Sequence, residues 1–365
     1  MIHRFLSLLI AVVLFSMQGF TQNLSWYKCL GGTLDQDSIV MHLHKAGNSY
    51  EGVYYYNTTQ QPVSFTGNDT SVPGKIQLMA YVPDAEQYET FLVTVDQDNA
   101  NGEWKKTPAA EALKFTATTI KDARLTSFDY IYTQGGSVLM PAWKASSAAN
   151  FSAASIWPAG SNRKADFIKQ VIRKTVDKKA VSEDVGALLL KEKKAFIRDY
   201  KKEYAGEPES NLKEHPYSYN MEVVKSITVV YQSPAILSLA YASYAYTGGA
   251  HGNHGTTYIN LNLKAQSRLR LNTVVTPGAK PVLGKLLAKY FRLSHKLAPD
   301  ASLKENGLFE ASITPTDNFY LTGKGIGFVY TPYEIGPYAM GEIDIFIPYT
   351  ELSKYLQPGF GQLIK

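Results

Sequence analysis

Two histidines, His251 and His254, lie three residues apart in a segment with four glycines, YTGGAHGNHGTTYINL. Imidazole nitrogens are common zinc ligands, but zinc sites typically need at least three protein ligands and this pair supplies two. Glu334, Glu342 and Asp344 are candidates for a third, and the sequence does not bring any of them near. We therefore predict no metal ligand and no cofactor, and we keep metal-assisted hydrolysis by the histidine pair as the alternative chemistry.

Hydroxyl side chains near the two histidines raise the question of nucleophilic catalysis. Ser243, Thr256 and Thr257 lie within a few residues of the pair, but no G-x-S-x-G turn, which exposes a nucleophilic serine, surrounds them. The sequence therefore predicts no catalytic residue. Two interpretations stay open. The glycines could supply positive φ in a turn that the histidines stabilise, or the loop that starts at Tyr246 could bind a partner.

A second segment, TPYEIGPYA, combines two prolines with aromatic and acidic side chains. Pro332 and Pro337 fix φ and remove amide donors, so a strand must end there. A stiffened loop that presents Tyr333, Glu334 and Tyr338 loses little entropy when it binds, and tyrosine is favoured at interfaces. We predict a partner-binding loop, with tyrosines that pack back on the sheet as the alternative.

The elements that must position these loops are strands and helices in separate blocks. From residue 23 to 120, short apolar runs alternate with Gly-, Asn- and Asp-containing turns, which predicts an antiparallel β meander closed into a small barrel or sandwich. The segment SIVMHLHKAGNSYEGVYYYN is typical, with Ile39, Met41 and Leu43 on one face of its first strand. His42 and His44 fall on the opposite face, which we expect to be exposed to solvent.

Residues 121–365 read as an α+β domain with a mixed or antiparallel sheet and flanking helices. The stretch from 122 to 162 predicts one or two strands and a loop, with residues 145–155 the most featureless part. Three-four apolar spacing predicts a helix near residues 163–176, and Ser182 is a candidate cap for a second. Strands at 222–231, 235–246, 256–263, 319–321, 325–330 and 342–348 and a helix at 280–293 complete the pattern.

The start of the chain predicts export. Residues 1–22 have a short basic start, an apolar run and a more polar end, which is typical of a secretory signal peptide. No later run is long and apolar enough to span a bilayer, so we expect no transmembrane segment after signal cleavage. Cys29 is the only cysteine, so no internal disulfide can form. A net charge of +5 over 365 residues without a basic stripe excludes nucleic acid as the expected partner.

Several segments resemble one family in the same order along the chain. They are YTGGAH from Tyr246, NFYLTGKGIGFVY from Asn318, PYEIGPYAMG from Pro332 and IPYTEL from Ile347. Together they resemble the RsiV-type extracytoplasmic domain, which is shared with the non-catalytic region of PdaC-like peptidoglycan deacetylases. The resemblance covers residues 125–356, and it leaves the N-terminal β domain without a family.

The resemblance implies an exported binding or sensing module of the bacterial cell envelope that recognises lysozyme or a peptidoglycan component. We expect a non-enzymatic protein that is periplasmic, secreted or on the cell surface, with lysozyme or cell-wall fragments as partners. The alternative is a metal-assisted hydrolase that acts on cell-wall glycan or peptide. The predicted partner-binding residues are Tyr246, His251, His254, Tyr333, Glu334 and Tyr338.

Overall fold

The computed structural model describes residues 24–82 and 87–365. The predicted signal peptide, residues 1–22, lies outside the described residues.

An eight-stranded antiparallel barrel forms the N-terminal part, because β8 pairs back onto β1. Alternating apolar residues fill its interior, among them Phe65, Phe91 and Phe115. Gly52 lies where the carbonyl of His42 and the ring of Phe65 leave no room for a Cβ. The predicted meander is confirmed as a barrel. Its strands are β1 (Ser25–Leu34), β2 (Asp37–Ala46), β3 (Ser49–Tyr56), β4 (Val63–Asp69), β5 (Lys75–Tyr81), β6 (Glu89–Val95), β7 (Asn99–Lys105) and β8 (Leu113–Thr119).

A six-stranded mixed sheet follows, in the spatial order β14-β13-β12-β11-β10-β9. Its strands are β9 (Phe128–Val138), β10 (Ala148–Pro158), β11 (Met221–Gln232), β12 (Ile236–Tyr246), β13 (Asn253–Asn262) and β14 (Ser267–Arg268). Only β10 and β11 pair in parallel, and a long helical connection joins them, as a parallel pair requires. The prediction of a featureless stretch at 145–155 is wrong, because β10 begins there.

Three helices form the connection between β10 and β11: α1 (Arg163–Val176), α2 (Val185–Glu203) and α3 (Glu209–Glu214). The Asn162 side chain caps α1 by accepting from the Ala165 amide. Asp184 caps α2 in the same way, so the predicted cap at Ser182 is wrong by two residues.

A second, three-stranded sheet lies near the C-terminus, in the order β15-β16-β17. Short turns of 3-10 helix span Pro216–Tyr219, Pro277–Ala279 and Tyr338–Met340. The remaining elements are α4 (Leu271–Val274), α5 (Lys280–Ser294), β15 (Phe319–Leu321), β16 (Gly325–Tyr330), β17 (Ile343–Pro348), α6 (Tyr349–Leu352) and α7 (Pro358–Gly361). The predicted α+β class is therefore confirmed.

The six-stranded sheet is covered on both faces. Leu239 belongs to a buried cluster with Ile168 of α1 and Leu189 of α2. The next residue, Ala240, points to the opposite face and belongs to a cluster with Tyr320 and Phe346 of the small sheet. Helices thus cover one face, and the small sheet covers part of the other.

The barrel covers a further part of that second face, and His42 and His44 are fully buried there. The prediction that they face solvent is wrong, because the outer face of the barrel is itself packed against a sheet. The Tyr27 hydroxyl lies 2.8 Å from Nδ1 of His42, and the Val229 amide donates to Nε2 of His44 at 3.1 Å. Burial lowers the pKa of each histidine to about 3.

Among the described residues, no helix is both long and apolar enough to cross a bilayer.

Candidate functional site

The two predicted loops lie against each other. The His251 ring stacks on the Tyr338 ring with centroids 4.1 Å apart and planes at 25°, and the His254 ring meets Tyr338 edge-on at 5.5 Å. The Tyr338 hydroxyl donates to the Gly252 carbonyl at 2.7 Å. Tyr333 packs beside Tyr338 at 5.7 Å. One tyrosine therefore ties two segments that lie more than eighty residues apart in the sequence.

The glycine loop, residues 247–252, turns the chain from β12 into β13. Gly248 and Gly249 have φ of +78° and +138°, values that favour glycine. Nδ1 of His251 donates to the Gly252 carbonyl at 3.0 Å, because a carbonyl oxygen can only accept. His254 is not in the loop as predicted, because β13 has begun and His254 pairs with Tyr244 of β12.

Tyr246 is the last residue of β12, and its side chain stabilises the glycine loop. Its hydroxyl donates to the Gly249 carbonyl at 3.0 Å. Among the described residues, the rings that pack on Tyr338 are those of His251, His254 and Tyr333, and the Tyr246 ring is not one of them. His251 and His254 thus contact the second segment directly, through Tyr338. Tyr246 is connected to them indirectly, through its hydrogen bond to the backbone of Gly249.

The proline loop, residues 331–337, holds Tyr333 in an unusual backbone conformation. Tyr333 has φ of +71° and is 58% exposed. Its amide donates to the Gly336 carbonyl at 3.0 Å, and a carboxylate oxygen of Glu334 accepts from the Thr331 amide at 3.0 Å. A non-glycine residue at positive φ is strained and persists only where surrounding contacts hold it, and such residues are frequent at ligand-binding sites.

Glu342 and Asn318 form hydrogen bonds with the unpaired edge of β13. The sequence did not identify these two residues as a pair. Glu342 accepts from both the amide and the hydroxyl of Thr256. Asn318 accepts from the Tyr258 amide at 2.9 Å and donates to the Thr256 carbonyl at 2.8 Å. The only signal for Asn318 is its position directly before β15, within the motif NFYLTG. These contacts fix the small sheet, and the loop that leaves it, against β13.

Asp344 lies in β17, two residues after Glu342, which precedes the strand. The Tyr320 hydroxyl donates to one of its carboxylate oxygens at 3.0 Å. Asp344 is an exposed residue. The protein around its carboxyl group nevertheless reduces the hydration of the charged form, and this raises the pKa of Asp344 to about 7. The negative charge of Glu342 raises it further.

The site is acidic although the chain as a whole is basic, with a net charge of +5. Glu334, Glu342 and Asp344 lie on the proline loop and on the segment that leads from it into β17. Within residues 24–82 and 87–365, none of the three forms an ion pair with a lysine, arginine or histidine. The charges of Glu334 and Glu342 are therefore available to an approaching cation, whereas the raised pKa of Asp344 favours its neutral form.

The described residues contain no group of three or more histidine, cysteine, aspartate or glutamate side chains arranged to hold a metal ion. The carboxylates considered above as a third ligand are engaged elsewhere. Glu334 accepts from Thr331, and Glu342 accepts from Thr256.

Two family models match successive segments of the C-terminal part. Residues 146–254 match the family described as deacetylase PdaC, and residues 272–350 match DUF3298, described as a protein of unknown function. The first match ends at His254 of the glycine loop region, and the second contains the proline loop. These matches confirm the predicted resemblance to the domain shared with PdaC-like proteins.

The C-terminal part of the chain is similar to solved structures. A member of the DUF3298 family from Bacteroides fragilis is 25% identical, with a TM-score of 0.57 over 65% of this chain and 98% of that one. A DUF3298 family protein from Pseudomonas aeruginosa PAO1 is 19% identical, with a TM-score of 0.45 over 64% of this chain and 96% of that one. A comparison with curated proteins finds no match.

Proposed function

We propose that the protein is an exported, non-enzymatic binding module of the bacterial cell envelope. Its docking face consists of Tyr246, His251, His254, Tyr333, Glu334 and Tyr338. The partner is a basic protein of the lysozyme type, as the family resemblance implies. The observation that carries the proposal is the stack of His251 on Tyr338, which joins the two loops into one surface.

The docking face has the features of an interface hot spot. Tyr333 is an exposed aromatic anchor on a backbone that is already fixed by hydrogen bonds. Tyrosine supplies a large contact area, and a rigid loop loses little conformational entropy on binding. Such a surface suits a folded protein partner, which does not need a deep pocket.

Charge supports a basic partner. Glu334 on the proline loop and Glu342, which contacts Thr256, have no ion pair in the described part of the chain, so they attract a cationic protein without first breaking an ion pair. This local charge has the opposite sign to the net charge of the chain. Electrostatic attraction of this kind weakens as salt screens it, so the affinity should fall between 50 and 300 mM salt, concentrations at which the screening length shortens from about 14 to 6 Å.

Calorimetric titration with lysozyme tests the proposal. Tyr333→Ala is expected to weaken binding by about tenfold, the effect of losing one hot-spot side chain. Tyr81→Ala is the matched control, because Tyr81 is 56% exposed and lies on the barrel. Equal effects of the two substitutions, or no binding of lysozyme by the wild type at high micromolar concentration, would remove the lysozyme proposal.

Cell-wall fragments form the second arm of the same experiment. Titration with soluble muropeptides, with and without Tyr333→Ala, shows whether the same face takes a glycan-peptide ligand. Binding of muropeptides that depends on Tyr333, with no binding of lysozyme, would replace the protein partner and keep the face. Fractionation of cells that express the full chain tests export.

A further inference from the structure

A pair of arginines lies outside the docking face, just before the segment matched to DUF3298, which begins at residue 272. Arg268 and Arg270 flank Leu269, which is buried at 8% exposure, on extended backbone. Because alternate residues of an extended chain point to the same side, both arginine side chains point away from the core that holds Leu269. The two positive charges are thus held on one side of the chain.

The pair forms no ion pair within the described ranges, although Asp317 lines the same cavity. Neither guanidinium forms an ion pair or a side-chain hydrogen bond with the residues of 24–82 and 87–365. The cleft wall partly dehydrates Arg268, which lowers its pKa, and the charge of Arg270 lowers it further. Two like charges that repel each other in a partly dehydrated cleft are an arrangement that a bound anion would stabilise.

The arginines open into a groove with an apolar floor. Two adjoining cavities of about 390 and 440 Å³ share Leu271, Asn272 and Asp317. The first contains the arginine pair. The second has Thr276 and Lys280 in its wall, and its apolar lining consists of Leu271, Val275, Pro277, Leu283 and Pro315. Asp317, at the junction, can accept N–H donors.

We propose that this arginine groove binds a short peptide through its terminal carboxylate, which Arg268 and Arg270 hold, while an apolar side chain lies on the floor beyond Leu271. Guanidinium groups match the geometry of a carboxylate, and Asp317 accepts a backbone N–H of the ligand. An inorganic anion would use the arginines alone, so the apolar extension is what favours a peptide acid. The groove is separate from the docking face and does not depend on the lysozyme proposal.

Titration of the full chain with N-acetyl-alanyl-leucine and with its C-terminal amide tests the carboxylate directly, because the two ligands differ only there. Binding is followed through the Nε–Hε signals of the arginines and by calorimetry. The acid is expected to bind with Kd below about 1 mM and the amide at least tenfold more weakly. Equal binding of acid and amide, or binding of inorganic phosphate without the acid, would overturn the assignment.

Arg268→Gln and Arg270→Gln are each expected to weaken the acid at least tenfold. Arg163→Gln is the control, because Arg163 is also exposed and lies on α1, on the opposite face of the large sheet. Without ligand, the two groove substitutions should leave the unfolding midpoint unchanged or raise it by about 1–2 °C, since they relieve repulsion. A fall in the midpoint larger than that of the control would mean that the arginines support the fold, which contradicts a site held for a ligand.

Discussion

Tyr338 is the side chain through which the candidate site is assembled. Its ring contacts His251, His254 and Tyr333, and its hydroxyl reaches the backbone of Gly252. An aromatic contact of this kind adds about 0.5–1.5 kcal/mol beyond the burial of its area. The same residue therefore contributes to stability and to the shape of the docking face.

Tyr338→Phe separates these two contributions. The ring and its stack remain, but the buried Gly252 carbonyl loses the hydrogen bond from the hydroxyl. We expect the free energy of unfolding to fall by about 0.5–1.5 kcal/mol. Urea denaturation measures this loss. An unchanged unfolding free energy would show that the loops are held together without this bond.

Asp344 offers a test through its pKa, which is raised to about 7. The folded state prefers the neutral carboxyl, so the stability that this group contributes is present below its unfolded pKa of about 3.9 and is lost as pH rises through 7. Asp344→Asn removes the charge but keeps an acceptor for Tyr320. We expect the substitution to stabilise the protein by about 1–2 kcal/mol more at pH 8 than at pH 5, a range discounted because Asp344 reaches solvent. Denaturation at both pH values measures this difference, and an effect independent of pH would contradict the account.

At the scale of elements, the site depends on how β13 meets the small sheet. β14 pairs with β13 only at Leu261 and Asn262, so the edge near Thr256 is open. Asn318 and Glu342 occupy that edge with side-chain hydrogen bonds. An edge that is filled in this way cannot recruit another strand.

Asn318→Ala removes the side chain that bonds the Thr256 carbonyl, the Val329 carbonyl and the Tyr258 amide. We expect a loss of about 2–3 kcal/mol in the free energy of unfolding, because three backbone groups lose these bonds. Asn306→Ala is the control, since its amide binds only the nearby Ser302 carbonyl on the surface. Chemical denaturation of the two variants compares them, and similar losses would show that the edge of β13 needs no cap.

The sequence pattern predicts most elements but not their limits. The alternation around Ile39 and the three-four spacing around Ile168 identify β2 and α1, because each pattern reflects one buried face. One or two strands were expected between residues 122 and 162, but β10 was not located because its sequence, AANFSAASIWP, is rich in small residues with weak apolar contrast. His254 was placed in a loop because the glycines beside it hide the start of β13.

At the scale of the whole molecule, the barrel and the large sheet share a buried polar interface. Glu51 of the barrel accepts hydrogen bonds from the Tyr130 hydroxyl at 2.7 Å and from the Ser226 hydroxyl at 3.0 Å. No local pattern reveals that a barrel face will be covered by residues almost two hundred positions away, which is why His42 and His44 were expected in solvent. The division into residues 23–120 and 121–365 stays a prediction, and its boundary falls between β8 and β9.

The buried histidines make the interface sensitive to acid. Their folded pKa values of about 3 lie below the unfolded value of about 6.5, so the unfolded state binds more protons in this window. Their contribution is complete above pH 6.5 and is lost as pH falls towards 3. Glu51, whose pKa is raised by burial, acts in the opposite direction.

The glutamine introduced by His42→Gln does not bind a proton between pH 6.5 and 4.5, and the substitution leaves Glu51 unchanged. We expect the loss of unfolding free energy between pH 6.5 and 4.5 to be smaller in His42→Gln than in the wild type. Urea denaturation at the two pH values provides the comparison. Parallel pH profiles would mean that His42 is protonated in the folded protein, contrary to its burial.

The central claim is that the glycine loop and the proline loop form one docking face. Hydrogen exchange measured by mass spectrometry, on the full chain with and without lysozyme, tests it most directly. We expect slower exchange in both residues 247–256 and residues 331–342, with no change in the barrel or along the arginine groove. Protection in only one of the two segments, protection elsewhere, or none at saturating lysozyme would contradict the claim.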